Sequence, residues 1–381
     1  MRDIGVGLIG TGYMGKCHTF AYRSVKAVLD TPLSPRLVHV CDRRLASAER
    51  FAARCGFEKA TDDWRAVVDD ADVDIVSITT PNRLHCEMAL AALEAGKHVH
   101  CEKPLALTLD EAERMAAVAA NAGGKTIVGY NYLFNPLFQH ARELVRSGAV
   151  GRLLFFRGVF DEDYCADPER PWTWRSARAE AGLGALGDLM CHLVSMADGL
   201  LGPIDSVVGD CRTAYPNRPA GDGTRQTGAR RRAVENEDIA SALISFESGV
   251  TGVISSSRAA WGRKNRLAWE LHGDAGTLAL DQERMNELQL YRKDGPPGDQ
   301  GFKTILTGPA HEPYGNFCPA PGHGLGYNDL KIIEMASFLK AIADGAPAYP
   351  DFAAALRFER VIHAIARSAE NGVRVRTDAA A

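Results

Sequence analysis

Two segments of the sequence concentrate side chains suited to acid–base or electrostatic catalysis. The first is Glu102-Lys103-Pro104, in which a proline directly after the lysine holds the lysine backbone extended and so aims its ammonium group. An ammonium held in this way can hydrogen-bond a reacting oxygen and stabilise the negative charge that develops on it. Lys103 is therefore a candidate catalytic residue; the alternative is a lysine at a strand end that is merely solvated.

The second segment is a glycine-rich stretch that leads into Asp188 and His192. If residues 186–200 form a helix, Asp188, His192 and Ser195 lie on one narrow polar stripe of an otherwise apolar surface. A buried polar stripe needs partners or lines a cavity. At positions i and i+4, Asp188 can orient the His192 imidazole and raise its basicity, as a general base for an alcohol proton requires. The alternative is a histidine that is merely satisfied inside a core.

A phosphate-binding pattern lies near the N-terminus. Gly10, Gly12 and Gly15 form G-x-G-x-x-G between an apolar strand and a helix. In this context Gly10 permits a tight turn, Gly12 lets the backbone approach a pyrophosphate, and Gly15 allows close packing of helix against strand, with helix N-terminal amides facing the phosphates. The residues between the glycines are also predicted cofactor contacts: Thr11, Tyr13 and Met14.

The end of the second predicted strand bears on the choice between NAD and NADP. An acid at this point, here Asp42, accepts hydrogen bonds from the adenosine ribose and repels a 2′-phosphate, which favours NAD. Arg43 and Arg44 keep NADP open, because a guanidinium group can pair with a 2′-phosphate or lie on the adenine. Arg43 is therefore also a predicted cofactor contact.

Two further polar segments follow the next strands of the same region. The carboxyl ends of parallel strands face the ligand crevice of an open α/β sheet, so both segments are expected beside the dinucleotide. The predicted contacts there are Thr80, Asn82, His85, Glu102 and Lys103.

The first 131 residues carry the elements that must position these motifs. Apolar runs at 4–9, 37–41, 73–79, 98–101 and 126–129 alternate with helical patterns at 15–29, 45–55, 83–95 and 108–121, and residues 30–35 are interpreted as a loop. Such alternation predicts a doubly wound α/β domain with a parallel sheet.

Residues 132–381 follow a different pattern and are predicted to form one α+β domain. Its β-like segments are joined by short turns at 247–249 and 273–276, so neighbouring strands should be antiparallel in a large sheet that could pair with another subunit. Helices are predicted at 329–343 and 352–370. Residues 213–236 and 293–327 are interpreted as irregular, and the arginines at 230–232 as a solvated loop.

Length and composition limit the class of protein that this sequence can encode. The chain has 381 residues, a net charge of -4 and 46% hydrophobic residues, typical of a globular protein of two or three domains. The near-neutral charge gives no reason to expect nucleic acid or membrane partners. No apolar run approaches the ~20 residues of a membrane span and no signal-peptide pattern is evident, so a cytoplasmic protein is expected. Nine cysteines without a Cys-x-x-Cys clip predict free thiols and no metal site, although His85, His98 and His100 leave a folded cluster open.

Taken together and in this order, these motifs resemble the glucose-fructose oxidoreductase / inositol dehydrogenase / MocA (Gfo/Idh/MocA) family. The resemblance extends to Pro81-Asn82-x-x-His85, to Gly129-Tyr130-Asn131 and to Gly322–Tyr327. It implies an N-terminal Rossmann domain, a C-terminal domain with a large open, mainly antiparallel sheet, and NAD(P)-dependent oxidation or reduction of a sugar or cyclitol. It also implies a homodimer or homotetramer built through the C-terminal sheet.

The resemblance assigns roles to individual residues. The family's catalytic lysine matches Lys103, its aspartate and histidine match Asp188 and His192, Glu102 matches a residue near the nicotinamide ribose, and Asn131 is a predicted cofactor contact. Two departures are Leu133, where the family often has arginine, and Ser195, where an aspartate is frequent.

The mechanism expected from these residues is oxidation of a ring secondary hydroxyl, with His192 as base and hydride transfer to nicotinamide. Aromatic rings suit the CH faces of a sugar, and arginine and asparagine suit vicinal hydroxyls. The predicted substrate contacts are Lys103, Tyr164, Trp174, Arg175, Asp188, His192, Asn265 and His323. Two alternatives stay open: an NADP-dependent keto-sugar reductase and a non-catalytic, nucleotide-sensing regulator of the same fold.

Overall fold

A computed structural model describes residues 2–220 and 230–378. These residues form two compact units. The first contains the residues up to Phe134 together with Leu325–Leu356, and the second contains Asn135–Gly324 and the residues from Arg357 onward. This division differs from the contiguous halves 1–131 and 132–381 expected from the sequence, because a segment near the C-terminus packs within the first unit.

The first unit is built on a six-stranded sheet in the order β3-β2-β1-β4-β5-β6. All its pairings are parallel. The chain order reverses between β1 and β4, the point at which doubly wound folds bind their ligands, so the predicted fold class is confirmed. The strands are β1 (Arg2–Ile9), β2 (Leu33–Cys41), β3 (Lys59–Thr61), β4 (Ile75–Ile78), β5 (His98–Cys101) and β6 (Thr126–Val128).

Five helices follow these strands in sequence: α1 (Tyr13–Val28), α2 (Leu45–Cys55), α3 (Trp64–Val68), α4 (His85–Glu94) and α5 (Leu109–Asn121). The short elements β3 and α3 were absent from the sequence prediction. The predicted loop 30–35 was also wrong in part, because β2 begins at Leu33 and includes Pro35. The Leu37 carbonyl oxygen accepts the Glu58 amide on the β3 side of β2, so the backbone of Pro35, two residues earlier, faces the same side. Because β3 pairs with β2 only from His39 onward, the missing amide of Pro35 costs no ladder hydrogen bond.

The second unit is built on a nine-stranded sheet in the order β16-β15-β14-β13-β7-β12-β11-β8-β17. Its pairings are antiparallel except that of β7 with β12. The strands are β7 (Leu153–Asp161), β8 (Ile204–Arg212), β11 (Ile239–Phe246), β12 (Thr251–Ser257), β13 (Arg266–Gly273), β14 (Gly276–Asp281), β15 (Glu287–Arg292), β16 (Lys303–Leu306) and β17 (Val375–Arg376), with a separate ladder of β9 (Asn217–Pro219) and β10 (Arg231–Ala233).

The remaining helices are α6 (Pro136–Arg146), α7 (Arg178–Ala181), α8 (Cys191–Leu201), α9 (Tyr314–Phe317), α10 (Tyr327–Asp344) and α11 (Phe352–Asn371). Helix α10 belongs to the first unit. Across residues 2–220 and 230–378, none of the helices has both the length and the apolar character needed to cross a membrane.

The predicted hairpins are confirmed, and the predicted irregular segments are partly wrong. Residues 247–249 join antiparallel β11 and β12, and residues 273–276 join antiparallel β13 and β14. Within 213–236 the chain instead forms β9 and β10, and residues 221–229 of this segment lie outside the described residues. The two arginines of β10 make side-chain contacts. Arg231 forms an ion pair with Glu169 at 2.9 Å, and the Arg232 guanidinium lies 3.4 Å from the centre of the Trp172 ring.

Side chains alternate between the two faces of the nine-stranded sheet. In β11, Ala242 and Ile244 are buried, whereas Leu243 between them is 55% exposed. Helix α8 packs on the buried face, where a Cβ atom at Gly158 of β7 would lie only 2.6 Å from a methyl group of Leu193. The glycine thus lets the helix that carries His192 lie close against the sheet.

Candidate active site

The glycine-rich turn between β1 and α1 has the geometry of a dinucleotide cradle. A Cβ atom at Gly10, whose φ is +103°, would lie 2.8 Å from the Thr79 carbonyl oxygen, and one at Gly15 would lie 2.2 Å from the Gly10 carbonyl oxygen. A Cβ atom at Gly12 would meet no heavy atom within 4 Å. Gly10 and Gly15 are therefore needed by the fold, whereas the space in front of Gly12 is open, as approach of a pyrophosphate to the backbone requires.

Helix α1 begins directly after this turn. Gly12 is its N-cap and supplies no side-chain cap, so the amides of the first turn, including those of Tyr13 and Met14, are available to an anion. Tyr13 is 66% exposed, and Tyr327 donates a hydrogen bond to the Met14 sulfur at 3.6 Å. These features fit the cofactor contacts predicted from the sequence.

Asp42 lies at the end of β2 and faces the same turn. Its Oδ2 atom accepts hydrogen bonds from the backbone amide and the hydroxyl of Thr11, and its Oδ1 atom accepts one from the Arg44 amide at 3.3 Å. Arg43 is exposed. Asp42 is thus fixed beside the glycine turn by Thr11, at the strand end where the sequence predicts its contact with the ribose.

His85 departs from its predicted role as a direct cofactor contact. The residue is completely buried, with Nδ1 2.9 Å from the Pro104 carbonyl oxygen and Nε2 3.0 Å from the Thr80 carbonyl oxygen. Burial lowers the pKa of His85 and so favours the neutral ring. Its position joins the loop after β4 to the loop after β5, while Asn82 opens a 3-10 turn between Thr80 and His85.

The loops after β5 and β6 carry the remaining cofactor candidates. Glu102 is buried, and its Oε2 atom accepts the backbone amide of Lys103 at 3.2 Å. The Lys103 side chain is half-buried, and its peptide bond to Pro104 is cis. Asn131 is buried, and its Nδ2 atom has no hydrogen-bond partner among the described residues, so this donor is free for a ligand. These residues and the glycine turn fit a bound dinucleotide.

In the second unit, Asp188 and His192 lie on consecutive helical segments. Residues Leu186–Met190 form a π-helical turn in which the Cys191 amide bonds to the Leu186 carbonyl oxygen, and α8 continues from it. The α-helical spacing used to align Asp188 with His192 therefore does not hold across this turn. Ser195, the third residue of the predicted polar stripe, is buried, and its hydroxyl donates to the His192 carbonyl oxygen at 2.7 Å, so it has a partner within α8.

Tyr164 and Arg175 converge on the Asp188 carboxylate. The Tyr164 hydroxyl donates to Asp188 Oδ2 at 2.6 Å, and Arg175 Nε lies 3.8 Å from the same oxygen. Burial and the neighbouring carboxylate of Asp188 raise the pKa of Tyr164 well above its usual range, so the phenol keeps the proton that it donates. Tyr164, predicted as a substrate contact, thus orients Asp188.

A buried network fixes the backbone around this group. Arg258 donates to Asp238 at 2.8 Å and to the side chain of Asn236 at 2.7 Å, and Asn236 in turn donates to the Arg175 carbonyl oxygen at 2.9 Å. The Glu237 carboxylate accepts the Leu186 amide at 2.9 Å. Two residues just before β11 therefore fix these segments: Asn236 holds the turn at Arg175, and Glu237 holds the start of the π-helical turn.

The other predicted substrate contacts have distinct surroundings. The Arg175 guanidinium lies 4.5 Å from the centre of the Trp174 ring, so these two residues form a stacked pair beside Asp188. The backbone amide of Asn265 donates to the Glu283 carboxylate at 3.3 Å. It lies in a loop whose Lys264 ammonium bonds to Asp163, next to Tyr164. His323 is exposed and donates from Nδ1 to the Ala320 carbonyl oxygen at 2.9 Å.

Comparisons with known proteins identify the family. Residues 4–130 match the model "Oxidoreductase family, NAD-binding Rossmann fold", and residues 138–279 match the model "GFO/IDH/MocA C-terminal domain". Levoglucosan dehydrogenase of Pseudarthrobacter phenanthrenivorans is 38% identical over 378 residues, which cover 97% of each chain. The chain belongs to the GFO/IDH/MocA family. It is an NAD-dependent oxidoreductase, which confirms the predicted family, enzyme class and cofactor.

Two further relatives support this assignment. A solved structure of levoglucosan dehydrogenase in complex with NADH and levoglucosan is 38% identical, with a TM-score of 0.94, and the match covers 99% of this chain and 100% of that one. Inositol 2-dehydrogenase of Rhizobium meliloti is 29% identical over 90% of both chains.

This GFO/IDH/MocA protein also contains a buried polar cluster that the sequence analysis missed. Lys331 of α10 lies among Glu102, Glu334, His18 and His100. The available signal was Lys331-x-x-Glu334, an i, i+3 charge pair within the apolar sequence of α10.

A metal ion is not assigned to this cluster. In the part of the chain that the structure describes, His18, His100 and Glu334 have potential ligand atoms within 4.8 Å of one another. The Lys331 ammonium already lies 3.0 Å from Glu334 Oε1 and 3.4 Å from His18 Nε2. A fixed positive charge therefore takes the place that a cation would need.

Proposed function

We propose that this oxidoreductase converts a ring secondary hydroxyl of a sugar, glycoside, anhydrosugar or cyclitol to a ketone. The relatives named above act on an anhydrosugar and a cyclitol, which supports that substrate class. The observation that carries the proposal is the Asp188 carboxylate, held by Tyr164 and Arg175 in the turn that leads directly into His192. When bound, NAD supplies the acceptor for the hydride.

In the proposed reaction, His192 removes the hydroxyl proton as the carbon-bound hydrogen leaves with its electron pair. Asp188 orients the imidazole and stabilises the positive charge that forms on it. The Lys103 ammonium hydrogen-bonds the reacting oxygen and stabilises its developing negative charge. The products are the ketone, the reduced cofactor and one proton, which His192 passes to solvent.

Trp174 and Arg175 are the proposed contacts for the rest of the sugar ring. The stacked pair offers an aromatic face for the CH side of the ring and guanidinium donors for its hydroxyls, and it lies beside Asp188. Asn265 and His323 are the further proposed contacts.

A purified-enzyme screen tests the proposal. Sugars, glycosides, anhydrosugars and cyclitols are offered with NAD and with NADP, and reduced nicotinamide absorbance is followed. For the best substrate, H192A and K103A should each lower kcat by about 10²- to 10⁴-fold, as loss of a catalytic acid–base or charge-stabilising group does. H140A is the control, because His140 lies on α6 against His311. Full turnover by H192A would refute the base assignment.

Two further assays separate the alternatives: ketoses offered with NADPH, and a binding titration with NADH. A keto-sugar reductase uses the same residues in reverse and would consume NADPH with a ketose faster than it oxidises any of the alcohols. A nucleotide-sensing regulator would bind NADH and turn over none of the compounds.

We further propose that the exposed face of the nine-stranded sheet joins copies of this chain into a homodimer or homotetramer. Leu243 pairs in register with Val253 of β12, which pairs with Arg157 of β7, so apolar and charged side chains share one row of this face. A concavity of about 400 Å³ on it is lined by both signs of charge. A surface with apolar residues and both charges suits pairing with its own copy about a two-fold axis. The charged residues of the lining are Arg157, Arg266, Arg284, Glu270, Asp281 and Glu287.

Sedimentation of the wild-type protein and of L243R tests the assembly. A charge at Leu243 should shift the protein to monomers that keep the wild-type far-ultraviolet circular dichroism, because this side chain is exposed in the single chain. A monomeric wild type, or an L243R variant that sediments like the wild type, would exclude assembly through this face. K303E on β16 changes charge at the sheet's outer edge and serves as the control.

We also propose that the enzyme works in the cytoplasm. The nine cysteines are free thiols in the structure, and most are buried, as suits a reducing compartment. A fluorescent fusion expressed in the native host tests this location, with a periplasmic or secreted signal as the contrary result.

A further inference from the structure

The strongest unexplained feature of the molecule is the ion-pair cluster inside the first unit. Lys331 is 1% exposed, and its ammonium lies 2.7 Å from Glu102 Oε1 and 3.0 Å from Glu334 Oε1. Glu102 is the residue directly before Lys103. The cluster therefore connects α10, more than two hundred residues along the chain, to the segment that carries the proposed catalytic lysine.

Gly129 makes room for this contact. A Cβ atom at Gly129 would lie 2.5 Å from Glu102 Oε1 and 2.8 Å from Lys331 Nζ. Both distances are far shorter than a carbon atom tolerates, so a side chain at this position would separate the two charged groups. In the motif Gly129-Tyr130-Asn131, the glycine thus has a packing role, because it leaves room for the contact between Glu102 and Lys331.

Two stacked histidines complete the cluster. The rings of His18 and His100 are 4.0 Å apart, His18 Nδ1 is 2.8 Å from the Ser77 hydroxyl, and His18 Nε2 is 2.7 Å from Glu102 Oε1. This pattern is satisfied by one neutral tautomer, in which Ser77 donates to Nδ1 and Nε2–H donates to Glu102. His18 and Lys331 therefore both donate to the same oxygen of Glu102 and leave its other oxygen for the Lys103 amide.

We propose that Lys331 is a positioning residue for catalysis: it fixes the Glu102 carboxylate, which in turn holds the Lys103 backbone through its second oxygen. The contact chain is Lys331 Nζ to Glu102 Oε1 at 2.7 Å and Glu102 Oε2 to the Lys103 amide at 3.2 Å. The inference rests on the proposed roles of Glu102 and Lys103.

The protonation states agree with this arrangement. Burial opposes the charge on Glu102, but Lys331 and His18 more than offset it and hold the pKa of Glu102 well below its usual range. Burial also opposes the charge on Lys331, and Glu102 and Glu334 raise its pKa above the usual value. A buried ion pair is an inefficient source of stability, because desolvation cancels much of its attraction. The effect of the Lys331–Glu102 pair is therefore chiefly to orient the Glu102 carboxylate.

K331M tests the proposal, because methionine keeps most of the volume and removes the ammonium. We expect kcat to fall by about 10²-fold, the scale of a small misplacement of a catalytic group, while KM for the sugar changes little. E334Q is the matched control: Glu334 is equally buried and also bonds to Lys331, and its other contact is His100. This variant should keep kcat near the wild-type value.

The double variant K331M/E334Q tests whether a low kcat of K331M arises only from loss of folding stability. It removes one positive and one negative charge, so the cluster keeps its wild-type charge balance. If Lys331 positions Glu102, the double variant folds with a Tm near that of E334Q but keeps the low kcat of K331M. Recovery of kcat in the double variant would overturn the inference and leave Lys331 a role in charge balance alone.

The pH profile supplies a readout that a purely structural role would not change. Without the ammonium, burial raises the pKa of Glu102, so an acid limb should appear in kcat of K331M/E334Q that the wild type lacks. An unchanged profile would contradict the proposal. The titratable groups that face Glu102 are Cys17 and His18 from α1, His85 from α4, His100 from β5, and Tyr327, Lys331 and Glu334 from α10.

K103A is measured beside these variants, so that a failure of the proposed role of Lys103 can be told apart from a failure of the positioning role of Lys331. If K103A keeps full turnover, the proposed function of Lys103 fails whatever K331M does. If K103A loses turnover and K331M does not, only the positioning role of Lys331 fails.

Discussion

The Tyr164 hydroxyl donates a 2.6 Å hydrogen bond to Asp188 Oδ2 across 24 positions of sequence. This bond links the segment after β7 to the π-helical turn before α8, and the same oxygen lies 3.8 Å from Arg175. The carboxylate that should orient the base is therefore itself oriented from a second element. A carboxylate held from two sides has less motional freedom to lose when the substrate arrives.

Removing the Tyr164 hydroxyl should slow the chemical step. In Y164F we expect kcat to fall by about 10- to 10²-fold, which corresponds to loss of one hydrogen bond to a charged group. The Kd for NADH should stay unchanged, because its proposed contacts lie in the first unit. Steady-state kinetics and a fluorescence titration with NADH provide the two measurements.

Y291F is the matched control for Y164F. The Tyr291 hydroxyl donates to Gln300 in an exposed hairpin of the same unit, so its loss should leave kcat as it is. A Y164F variant that behaves like Y291F would show that Asp188 needs no support from Tyr164.

The glycine turn gives a prediction that separates binding from folding. Gly12 has a φ of -69° and open space where a Cβ would lie, so G12A should keep the wild-type Tm. A methyl group there would hold the pyrophosphate away from the amides of α1, and the Kd for NADH should rise by about 10- to 10²-fold for each charged hydrogen bond lost. Differential scanning fluorimetry and NADH titration check the two parts.

G10A should behave in the opposite way. Gly10 has a φ of +103°, and its Cβ would lie 2.8 Å from a carbonyl oxygen, so this variant should lose Tm first. Loss of stability in G12A, or an unchanged NADH affinity, would show that the open space before Gly12 does not receive the pyrophosphate.

The features that were predictable from sequence are local ones. Gly10, Gly12 and Gly15 lie within six consecutive residues between a strand and a helix, and Lys103 lies beside Glu102 and Pro104. In each case one short segment fixes both the chemistry and the backbone that presents it. The parallel order of the first sheet follows from the alternation of strands and helices in the same way.

The contacts that could not be predicted join distant segments. Tyr164 appeared as a sugar contact because nothing local links it to Asp188, and Lys331 went unnoticed because Glu102 lies 229 positions away. The π-helical turn at Leu186–Met190 was missed for a different reason, since its i, i+5 bonds leave no distinct hydrophobic period in so short a segment. A single sequence records which residues are present and not which of them meet.

Asp42 should control the choice between NAD and NADP. In D42N we expect the Kd for NADH to rise by about tenfold or more, because a charged acceptor for the ribose is lost, and the Kd for NADPH to fall relative to it. The exposed Arg43 remains available to a 2′-phosphate. Fluorescence titrations with both reduced cofactors give the ratio.

D62N is the control for charge, since Asp62 is an exposed acid just after β3. It should leave the ratio of the two Kd values unchanged. An equal loss of affinity for both cofactors in D42N would point instead to a disturbed glycine turn, because Asp42 also accepts hydrogen bonds from Thr11.

The buried His18 should make the first unit sensitive to mild acid. Burial, together with His100 and Lys331, lowers the pKa of His18 well below its usual value, so the folded state keeps this ring neutral while the unfolded state takes up a proton near pH 6.5. The stability contributed by the neutral ring is complete above that pH and is lost below it, by at most about 1.4 kcal/mol per pH unit. In H18Q this loss is absent, so the Tm difference between wild type and H18Q should shrink from pH 8 to pH 5.

S77A separates titration of His18 from its hydrogen bonding. This variant removes the hydroxyl next to Nδ1, which lies 2.8 Å away, but keeps the imidazole and its other neighbours Glu102, His100 and Lys331. Its Tm should therefore be lower than that of the wild type and should fall with acid in parallel with it. If H18Q and the wild type instead lose Tm in parallel between pH 8 and pH 5, the acid sensitivity arises from other groups and His18 is not neutral in the folded protein. Scanning calorimetry at half-unit pH steps resolves the two slopes.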